Sequence, residues 1–255
     1  MQLSIILPTY NEAENIFKLL EELKLVFEGV TDFEMIIVDD MSTDQTVSEV
    51  QNFQEKYQNG IPVRIVERDN NFRSLGASIG DGLKAAIGES ILVMDSDFTH
   101  QPFDALRLYN THCSNLEIVL GSRFIPGGGM ESKTHYFFSK IFNLAIKIIL
   151  NTGVNDNLGG FFVANSAQIR QVAKVGVFRG YGDYYFRLIS NVRESGADIH
   201  EVSTHYAARQ FGRSKSNFLK LIFSYSWEVM KFYVTFRITI RVSNFKDKHL
   251  RKVTN

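Results

Sequence analysis

The chain has 255 residues and 44% hydrophobic residues, which suits one large α/β domain that buries its apolar surface without disulfides. Its 28 basic and 28 acidic side chains cancel, so we expect no nucleic-acid partner. The one cysteine, Cys113, excludes an intrachain disulfide, and we expect it to be a buried helix residue.

Five short apolar runs in the first half predict buried strands, because each is rich in Ile and Val and ends at a polar or turn segment. The runs cover residues 3–7, 35–38, 63–66, 91–94 and 118–120. Helical patterns at residues 12–27, 43–57 and 72–87 separate the first four runs. This alternation predicts an α/β fold with a mostly parallel sheet and helices on both faces.

The second half is less regular. Three consecutive glycines at residues 127–129 predict a mobile loop. Helices are expected at residues 137–150 and around 183–194, and a strand around 199–204. The last residues, 244–255, are polar, and we expect them to fray.

Polar groups follow the predicted strands at the ends where ligands bind in open α/β sheets. Because the carboxyl ends of parallel strands meet at one edge, these groups should converge on one crevice. They are residues 8–12, Asp39 and Asp40, residues 95–97, and residues 121–123.

Asp95 and Asp97 are the strongest local signal for chemistry. Two carboxylates two residues apart at a strand end can face one Mg²⁺ or Mn²⁺ ion, and such an ion can neutralise a leaving diphosphate. An acidic turn that caps the next helix is the simpler interpretation. Asp39 and Asp40 allow a division of roles, in which one braces the loop and the other accepts a hydrogen bond from a base or ribose.

The motifs occur in an order that resembles glycosyltransferase family 2. Residues 7–12, 38–44 and 94–97 carry the resemblance, and it continues through residues 121–124, residues 159–162, and Arg209 with Gly212, Ser214 and Lys215. The pattern is similar to the branch that contains dolichol-phosphate mannosyltransferases and other polyprenyl-phosphate glycosyltransferases. It covers roughly residues 1–220.

The resemblance implies a GT-A fold, a GDP- or UDP-linked sugar donor, Mg²⁺ or Mn²⁺, and inverting sugar transfer. It assigns donor binding to Pro8, Tyr10, Glu12, Val38, Asp40, Asp95, Ser96 and Asp97. Asp95 and Asp97 would hold the metal, with Asp97 as the principal ligand. Phosphate contacts would come from Arg123, Arg209, Ser214 and Lys215, and Arg209 would also be catalytic.

Three positions depart from the pattern of this branch. Thr99 stands where Gln or Ser is usual, His135 lies near a position that is usually basic, and Met41 occupies a usual glycine position. These departures keep open a non-catalytic relative that binds a nucleotide sugar. A nucleotidyltransferase is a weaker alternative, because no glycine-rich phosphate loop with a lysine lies near the first strand.

The acceptor is either a polyprenyl phosphate or a saccharide hydroxyl. A phosphate is already anionic, whereas a hydroxyl needs a base. Asp183 is the candidate base, and the alternative is an ordinary first-turn carboxylate of a helix.

Two predicted helices, residues 137–150 and 218–236, carry a narrow polar stripe and a broad apolar face. This pattern is typical of a helix in a membrane interface, but a homo-oligomer contact looks the same in sequence. We therefore expect a peripheral enzyme at the cytoplasmic face of a membrane. The expected division is a glycosyltransferase domain at residues 1–216 and an amphipathic helix with a polar tail at 217–255. No apolar run reaches 18 residues, so no spanning helix is expected.

Overall fold

The protein is described by a computed structural model over residues 1–58, 60–69, 72–114, 116–173, 176–208 and 222–235. The strands in chain order are β1 (Leu3–Thr9), β2 (Phe33–Asp39), β3 (Val63–Glu67), β4 (Ser90–Val93), β5 (Ile118–Ser122), β6 (Gly129–Met130), β7 (Phe162–Asn165), β8 (Ile199–Ser203) and β9 (His205–Tyr206). The helices are α1 (Ala13–Phe27), α2 (Thr46–Lys56), α3 (Leu75–Ala85), α4 (Pro102–His112), α5 (Lys133–Leu150), α6 (Ser166–Val172) and α7 (Asp183–Glu194).

Seven strands form one sheet in the order β3-β2-β1-β4-β7-β5-β8. All neighbouring pairs are parallel except those of β7, which runs antiparallel to β4 and β5. β6 and β9 make a separate parallel pair. The strands after β1 are added first on one side of it, as β2 and β3, and then on the other side, as β4. The carboxyl end of β1 is therefore the switch point where a crevice is expected.

Side chains of β1 and β2 alternate between two apolar layers, as the period of a strand requires. Ile5 and Leu7 face one layer with α1, α2 and α4, whereas Ile6 faces the other with α3, α6 and α7. Burial on both faces explains why these strands read as continuous apolar runs in the sequence. The sheet is therefore the core, and it leaves only its strand ends for a site.

Residues 222–235 are helical, and we call them the C-terminal helix. Val229 of this helix packs with Phe186 of α7 and with Ile146 and Leu150 of α5 in a third apolar cluster. Among the described residues, no helix has both the length and the apolar character to cross a membrane.

The mostly parallel sheet and its flanking helices confirm the predicted fold class. The five predicted strands of the first half and the predicted helices in residues 12–27, 43–57 and 72–87 are all present. The prediction for Cys113 was wrong, because it follows the last turn of α4 and is exposed. The predicted helix at 218–236 and the tail at 244–255 lie partly or wholly outside the described residues, so the division at residue 216 stays a prediction.

Candidate active site

A cavity of about 620 Å³ opens at the carboxyl ends of β1, β2 and β4. Its lining combines the polar residues that follow these strands with a later segment and one residue of the C-terminal helix. The lining residues are Pro8, Thr9, Tyr10, Glu12, Asp40, Arg73, Ser74, Leu75, Ser78, Asp95, Ser96, Asp97, Leu158, Gly159, Gly160, Gly180, Tyr181, Gly182, Tyr184 and Tyr225. A cavity of this size with a few convergent polar groups is typical of a site for a small organic ligand.

The sheet itself fixes the strand-end residues. The backbone N–H of Asp40 donates to the carbonyl of Thr9 over 2.9 Å. The buried hydroxyl of Ser96 donates to the carbonyl of Pro8 over 2.7 Å. The three predicted groups of β1, β2 and β4 are therefore joined side by side, as the sequence predicted.

The loops after β1 and β2 brace each other beside the cavity. Asn11 has a φ of 53°, a left-handed conformation that asparagine tolerates. Its side-chain oxygen accepts from the Thr43 N–H, and its own N–H donates to the Ser42 hydroxyl, both over 2.8 Å. Asp39 accepts from the Ser42 N–H over 2.8 Å. Asp39 thus braces the loop, whereas Asp40 lines the cavity, which is the division of roles that the sequence allowed.

Asp97 is buried and held by the turn that follows it. One carboxylate oxygen accepts from both the N–H and the hydroxyl of Thr99, over 3.0 and 2.6 Å. Thr99 therefore orients Asp97. Phe98 between them has a φ of 63°, so this turn is strained.

His100 supports the other aspartate. The backbone N–H of Asp95 donates to Nδ1 of His100 over 2.9 Å. The imidazole is buried and stacks on Phe161, with 4.5 Å between ring centroids. Burial lowers the pKa of His100 to about 3, so Nδ1 stays available as an acceptor. The sequence analysis did not single out His100, although it lies three residues after Asp97.

Asp40 has a partner that the sequence analysis missed. Its carboxylate makes an ion pair with Arg68 and also accepts from the Ser74 N–H over 2.8 Å. Arg68 in turn donates to Asp81 over 3.0 Å. Both Asp40 and Arg68 are buried, so the pair fixes the start of α3 against the end of β2. No local pattern marks Arg68, because its partners lie 28 and 13 residues away.

Among the described residues, Arg73 is the arginine that lines the cavity. Its guanidinium lies over the ring of Tyr10, 4.0 Å from the centroid. The sequence analysis did not single it out. Its place beside Tyr10 and Asp40 suits contact with an anionic or aromatic group.

Arg123 is buried and is not among the residues that line the cavity. Its guanidinium binds Asp156 through two hydrogen bonds of 2.7 Å and lies over the ring of Tyr206. Asp156 is fully buried. A buried carboxylate therefore holds the Arg123 guanidinium, and the phosphate contact of Arg123 stays a prediction.

Asp183 is also outside the cavity lining, although Gly182 and Tyr184 beside it are inside. Its two oxygens accept from the Tyr181 N–H over 2.7 Å and from Arg187 over 2.6 Å. This arrangement matches a first-turn carboxylate of a helix and gives no support to a role as general base.

The remaining residues from the sequence predictions either lie outside the described part of the chain or lie away from the cavity. Arg209, Ser214 and Lys215 lie outside the described residues. Val38 is fully buried in the apolar layer with α3 and does not line the cavity. His135 lies in the first turn of α5, where its N–H donates to the capping hydroxyl of Ser132.

A divalent cation at Asp95 and Asp97 would need further oxygen ligands from a phosphate or from water. Among the described residues, no group of three or more His, Cys, Asp or Glu side chains could hold a metal ion. Both carboxylates nevertheless line the cavity, and oxygen ligands of this type suit Mg²⁺ and Mn²⁺ when phosphate or water completes the coordination. The residues present therefore fit a cation that binds together with a phosphorylated ligand.

The far wall of the cavity comes from segments late in the chain. The hydroxyl of Tyr184 donates to the carbonyl of Gly160 over 3.4 Å. The N–H of Gly182 donates to the hydroxyl oxygen of Tyr225 over 2.9 Å. The C-terminal helix thus closes part of the site through Tyr225.

Fold and site together define an α/β protein with an acidic strand-end crevice. The sequence profile of glycosyl transferase family 2 matches residues 4–172. The chain belongs to this family, which confirms the family that its motifs predicted.

Curated relatives point the same way. The chain is 31% identical over 176 residues to a dolichol-phosphate mannosyltransferase of Pyrococcus furiosus, which covers 68% of this chain and 48% of that protein. It is 37% identical over 132 residues to a poly(ribitol-phosphate) beta-glucosyltransferase of Bacillus spizizenii, which covers 51% of this chain and 20% of that protein. The chain thus matches about half or less of the length of these relatives.

Solved structures share the fold. Glucosyl-3-phosphoglycerate synthase of Mycobacterium tuberculosis, in complex with Mn²⁺, UDP and glucosyl-3-phosphoglycerate, superposes with a TM-score of 0.66 at 18% identity. The match covers 90% of this chain and 77% of that one. At this identity the likeness shows the fold alone.

Proposed function

We propose that the protein is an inverting glycosyltransferase that moves a sugar from a nucleotide-sugar donor to a polyprenyl phosphate. One observation carries the proposal: Tyr10, Asp40, Asp95 and Asp97 line one cavity at the carboxyl ends of adjacent strands. Family membership gives the reaction class, and the cavity gives it a location.

The donor would lie along the strand-end wall. Asp40, held by Arg68, would accept from the base or ribose, and Arg73 with Tyr10 would contact the nucleoside. Asp95 and Asp97 would hold Mg²⁺ or Mn²⁺ beside the diphosphate. A divalent cation supplies charge neutralisation for a diphosphate leaving group. Mn²⁺ and UDP in the mycobacterial relative support both the cation and the nucleotide class.

The chain's own residues would act by orientation. Thr99 fixes Asp97, His100 fixes the backbone of Asp95, and Ser96 ties this turn to Pro8. An acceptor oxygen forms a bond to the anomeric carbon while the bond to the diphosphate oxygen breaks, and that oxygen keeps the electron pair. Positioning and fixed charge supply most of the rate in such transfers.

An acceptor phosphate fits the site better than a hydroxyl. A phosphate nucleophile carries its own negative charge and needs no base. The candidate base, Asp183, is held by Arg187 and the Tyr181 N–H and does not line the cavity. The dolichol-phosphate mannosyltransferase among the relatives is consistent with this acceptor. The poly(ribitol-phosphate) beta-glucosyltransferase is the reason why a saccharide-type acceptor is also tested.

We propose that the protein acts at the cytoplasmic face of a membrane, and its exposed apolar surface supports the contact with a membrane. Asn143 in the polar stripe of α5 is buried, and Lys147 donates to Asn155 over 2.8 Å, so much of the polar side of α5 faces the protein. Large apolar side chains face outward from α5 and from the C-terminal helix. They are Phe137, Phe138, Ile141, Leu144, Ile148, Ile149, Phe223, Trp227, Met230 and Val234. Exposed apolar and aromatic side chains of this kind suit the headgroup layer.

A transfer assay tests the proposal. The full chain is incubated with Mn²⁺, with GDP- or UDP-linked hexoses, and with vesicles that contain either polyprenyl phosphate or the matched polyprenol. We expect sugar incorporation only into the phosphate lipid. Incorporation into a soluble saccharide alone would replace the acceptor, and no transfer from any donor would favour the non-catalytic alternative.

Vesicle flotation tests the membrane surface separately. Replacing Trp227 and Met230 by Gln should reduce flotation, because both side chains are more than half exposed, at 64% and 52%. Leu25→Gln with Ile87→Gln is the matched control, since these side chains are 77% and 66% exposed but lie elsewhere in the fold. Equal flotation of both double variants would contradict the membrane surface, and a dimer detected by sedimentation would assign the face to a second copy.

A further inference from the structure

Tyr225 brings a phenol hydroxyl into the cavity from the C-terminal helix. The side chain is 8% exposed and lines the cavity together with Asp95, Gly182 and Tyr184. The Gly182 N–H donates to its oxygen over 2.9 Å, and this contact fixes where the hydroxyl lies. The sequence pattern placed Tyr225 only on the apolar face of the predicted helix at residues 218–236.

The hydrogen bond from Gly182 leaves the proton of the Tyr225 hydroxyl unused. A phenol donates one hydrogen bond and can accept as well. Among the described residues, no protein acceptor within hydrogen-bonding distance takes this proton, whereas the hydroxyl of Tyr184 donates to the carbonyl of Gly160. Burial raises the pKa of Tyr225 well above its ordinary range, so the hydroxyl keeps its proton at neutral pH.

Because the Tyr225 hydroxyl lines the cavity, a ligand bound there that supplies an acceptor oxygen can take this proton. On the proposed function, the ligands of this cavity carry phosphoryl oxygens, which are strong anionic acceptors. A hydroxyl that donates to such an oxygen makes a charge-assisted hydrogen bond without adding a second positive charge beside a cation.

We propose that the Tyr225 hydroxyl donates a hydrogen bond to a phosphoryl oxygen of the substrates, so that the C-terminal helix contributes directly to the active site. This inference rests on the proposed function. The oxygen belongs either to the donor diphosphate or to the acceptor phosphate. Measurements of diphosphate binding and of the acceptor KM distinguish these two sources. In either case the helix with the exposed apolar outer face also carries a substrate contact on its inner face.

Tyr225→Phe in the full chain tests the contact, because Phe keeps the ring and removes the hydroxyl. Calorimetry compares the nucleoside with its diphosphate, uridine with UDP and guanosine with GDP, in the presence of Mn²⁺. A contact to the donor diphosphate predicts that the diphosphate binds about tenfold more weakly while the nucleoside binds unchanged. A contact to the acceptor predicts unchanged diphosphate binding and a KM for polyprenyl phosphate that rises about tenfold.

Tyr109→Phe is the matched control, because its buried hydroxyl bonds to Thr31 over 2.8 Å and does not line the cavity. It should change none of these constants. The inference is overturned if Tyr225→Phe leaves diphosphate binding and the acceptor KM unchanged, or if it weakens nucleoside and diphosphate equally. If the wild-type chain binds no nucleotide, the proposed function fails instead, so the two failures are distinguishable.

Discussion

The two walls of the cavity are built in different ways. The strand-end wall, formed by residues 8–10, Glu12, Asp40 and residues 95–97, is fixed by the sheet and by hydrogen bonds between adjacent loops. The late wall, formed by residues 158–160, residues 180–182, Tyr184 and Tyr225, is held by side-chain contacts between segments outside the sheet. The first wall carries the acidic chemistry, and the second carries glycines and tyrosines that enclose it.

This difference matters for function as well as for assembly. The strand-end wall has little freedom, because β1, β2 and β4 are central strands buried on both faces. The late wall includes a helix whose other face is exposed and apolar. Substitutions in the first wall should therefore act on chemistry or global stability, whereas substitutions in the second should act on substrate binding.

The largest effect is expected for Asp97→Asn in the strand-end wall. The change removes the negative charge but keeps the shape, so sugar transfer should fall by about a thousandfold while the fold is retained. Steady-state kinetics measure the loss, and circular dichroism checks the fold. Asp104→Asn in α4 is the control, because its partner Arg107 is partly exposed and neither residue lines the cavity. Full activity of Asp97→Asn would remove the acidic turn from the mechanism.

The next largest effect is expected for Arg68→Met, which leaves Asp40 buried without its charged partner. Breaking a buried ion pair on one side costs about 3 kcal/mol in the free energy of unfolding. Denaturant unfolding gives the value. Arg107→Met should cost less than about 1 kcal/mol, since its pair with Asp104 is partly exposed.

A second change isolates the charge of Asp40. Adding Asp40→Asn to Arg68→Met should recover part of the lost stability, because the uncompensated charge is then absent. If Asp40→Asn lowers the free energy of unfolding of Arg68→Met by as much as it lowers that of the wild-type chain, the two side chains contribute independently and do not act as a pair.

Gly76→Ala probes the contact between the start of α3 and the late wall. The N–H of Gly76 donates to the carbonyl of Gly180 over 3.1 Å, and an added Cβ would lie 2.6 Å from the backbone N of Arg179. The late wall must move, so we expect about 2 kcal/mol of destabilisation and weaker substrate binding.

Gly80→Ala is the control for Gly76→Ala, one turn later in α3. A Cβ added at Gly80 would lie 3.1 Å from the Cβ of Phe178. Alanine also favours the helical conformation more than glycine does. It should be close to neutral. Equal losses for both variants would show that α3, and not the late wall, responds to the added methyl group.

The smallest effect is expected for Met41→Gly beside the strand-end wall. Met41 has a φ of 64°, a conformation that costs a residue with a Cβ atom about 1 kcal/mol relative to glycine. Met41→Gly should therefore be more stable than Met41→Ala by roughly that amount, as measured by thermal unfolding. The reverse order would show that the turn is not strained at this position.

The strand-end wall could be predicted from sequence, because apolar runs locate strands and parallel strands place their following residues together. Asp40, Asp95 and Asp97 were found in this way. Met41, which stands at a usual glycine position of the family, has a positive φ in the structure. The family resemblance added the reaction class, which no spacing of residues alone could supply.

The partners of charged residues could not be predicted. Arg123 was assigned to phosphate, but Asp156, 33 residues away, holds it in the structure. Arg68 and Arg73 lie outside the motifs and reach the site only through the fold. Tyr225 and Gly182 meet across 43 residues. Such contacts depend on how non-adjacent segments pack, and local periodicity carries no information about them.

Calorimetric titration of the full chain with UDP and GDP, with and without Mn²⁺, tests the central claim most directly. We expect that one of the two nucleotides binds, that Mn²⁺ strengthens its binding, and that Asp97→Asn removes the effect of Mn²⁺ while the nucleotide still binds weakly. Absence of binding by either nucleotide under both conditions would contradict the donor site at the strand ends.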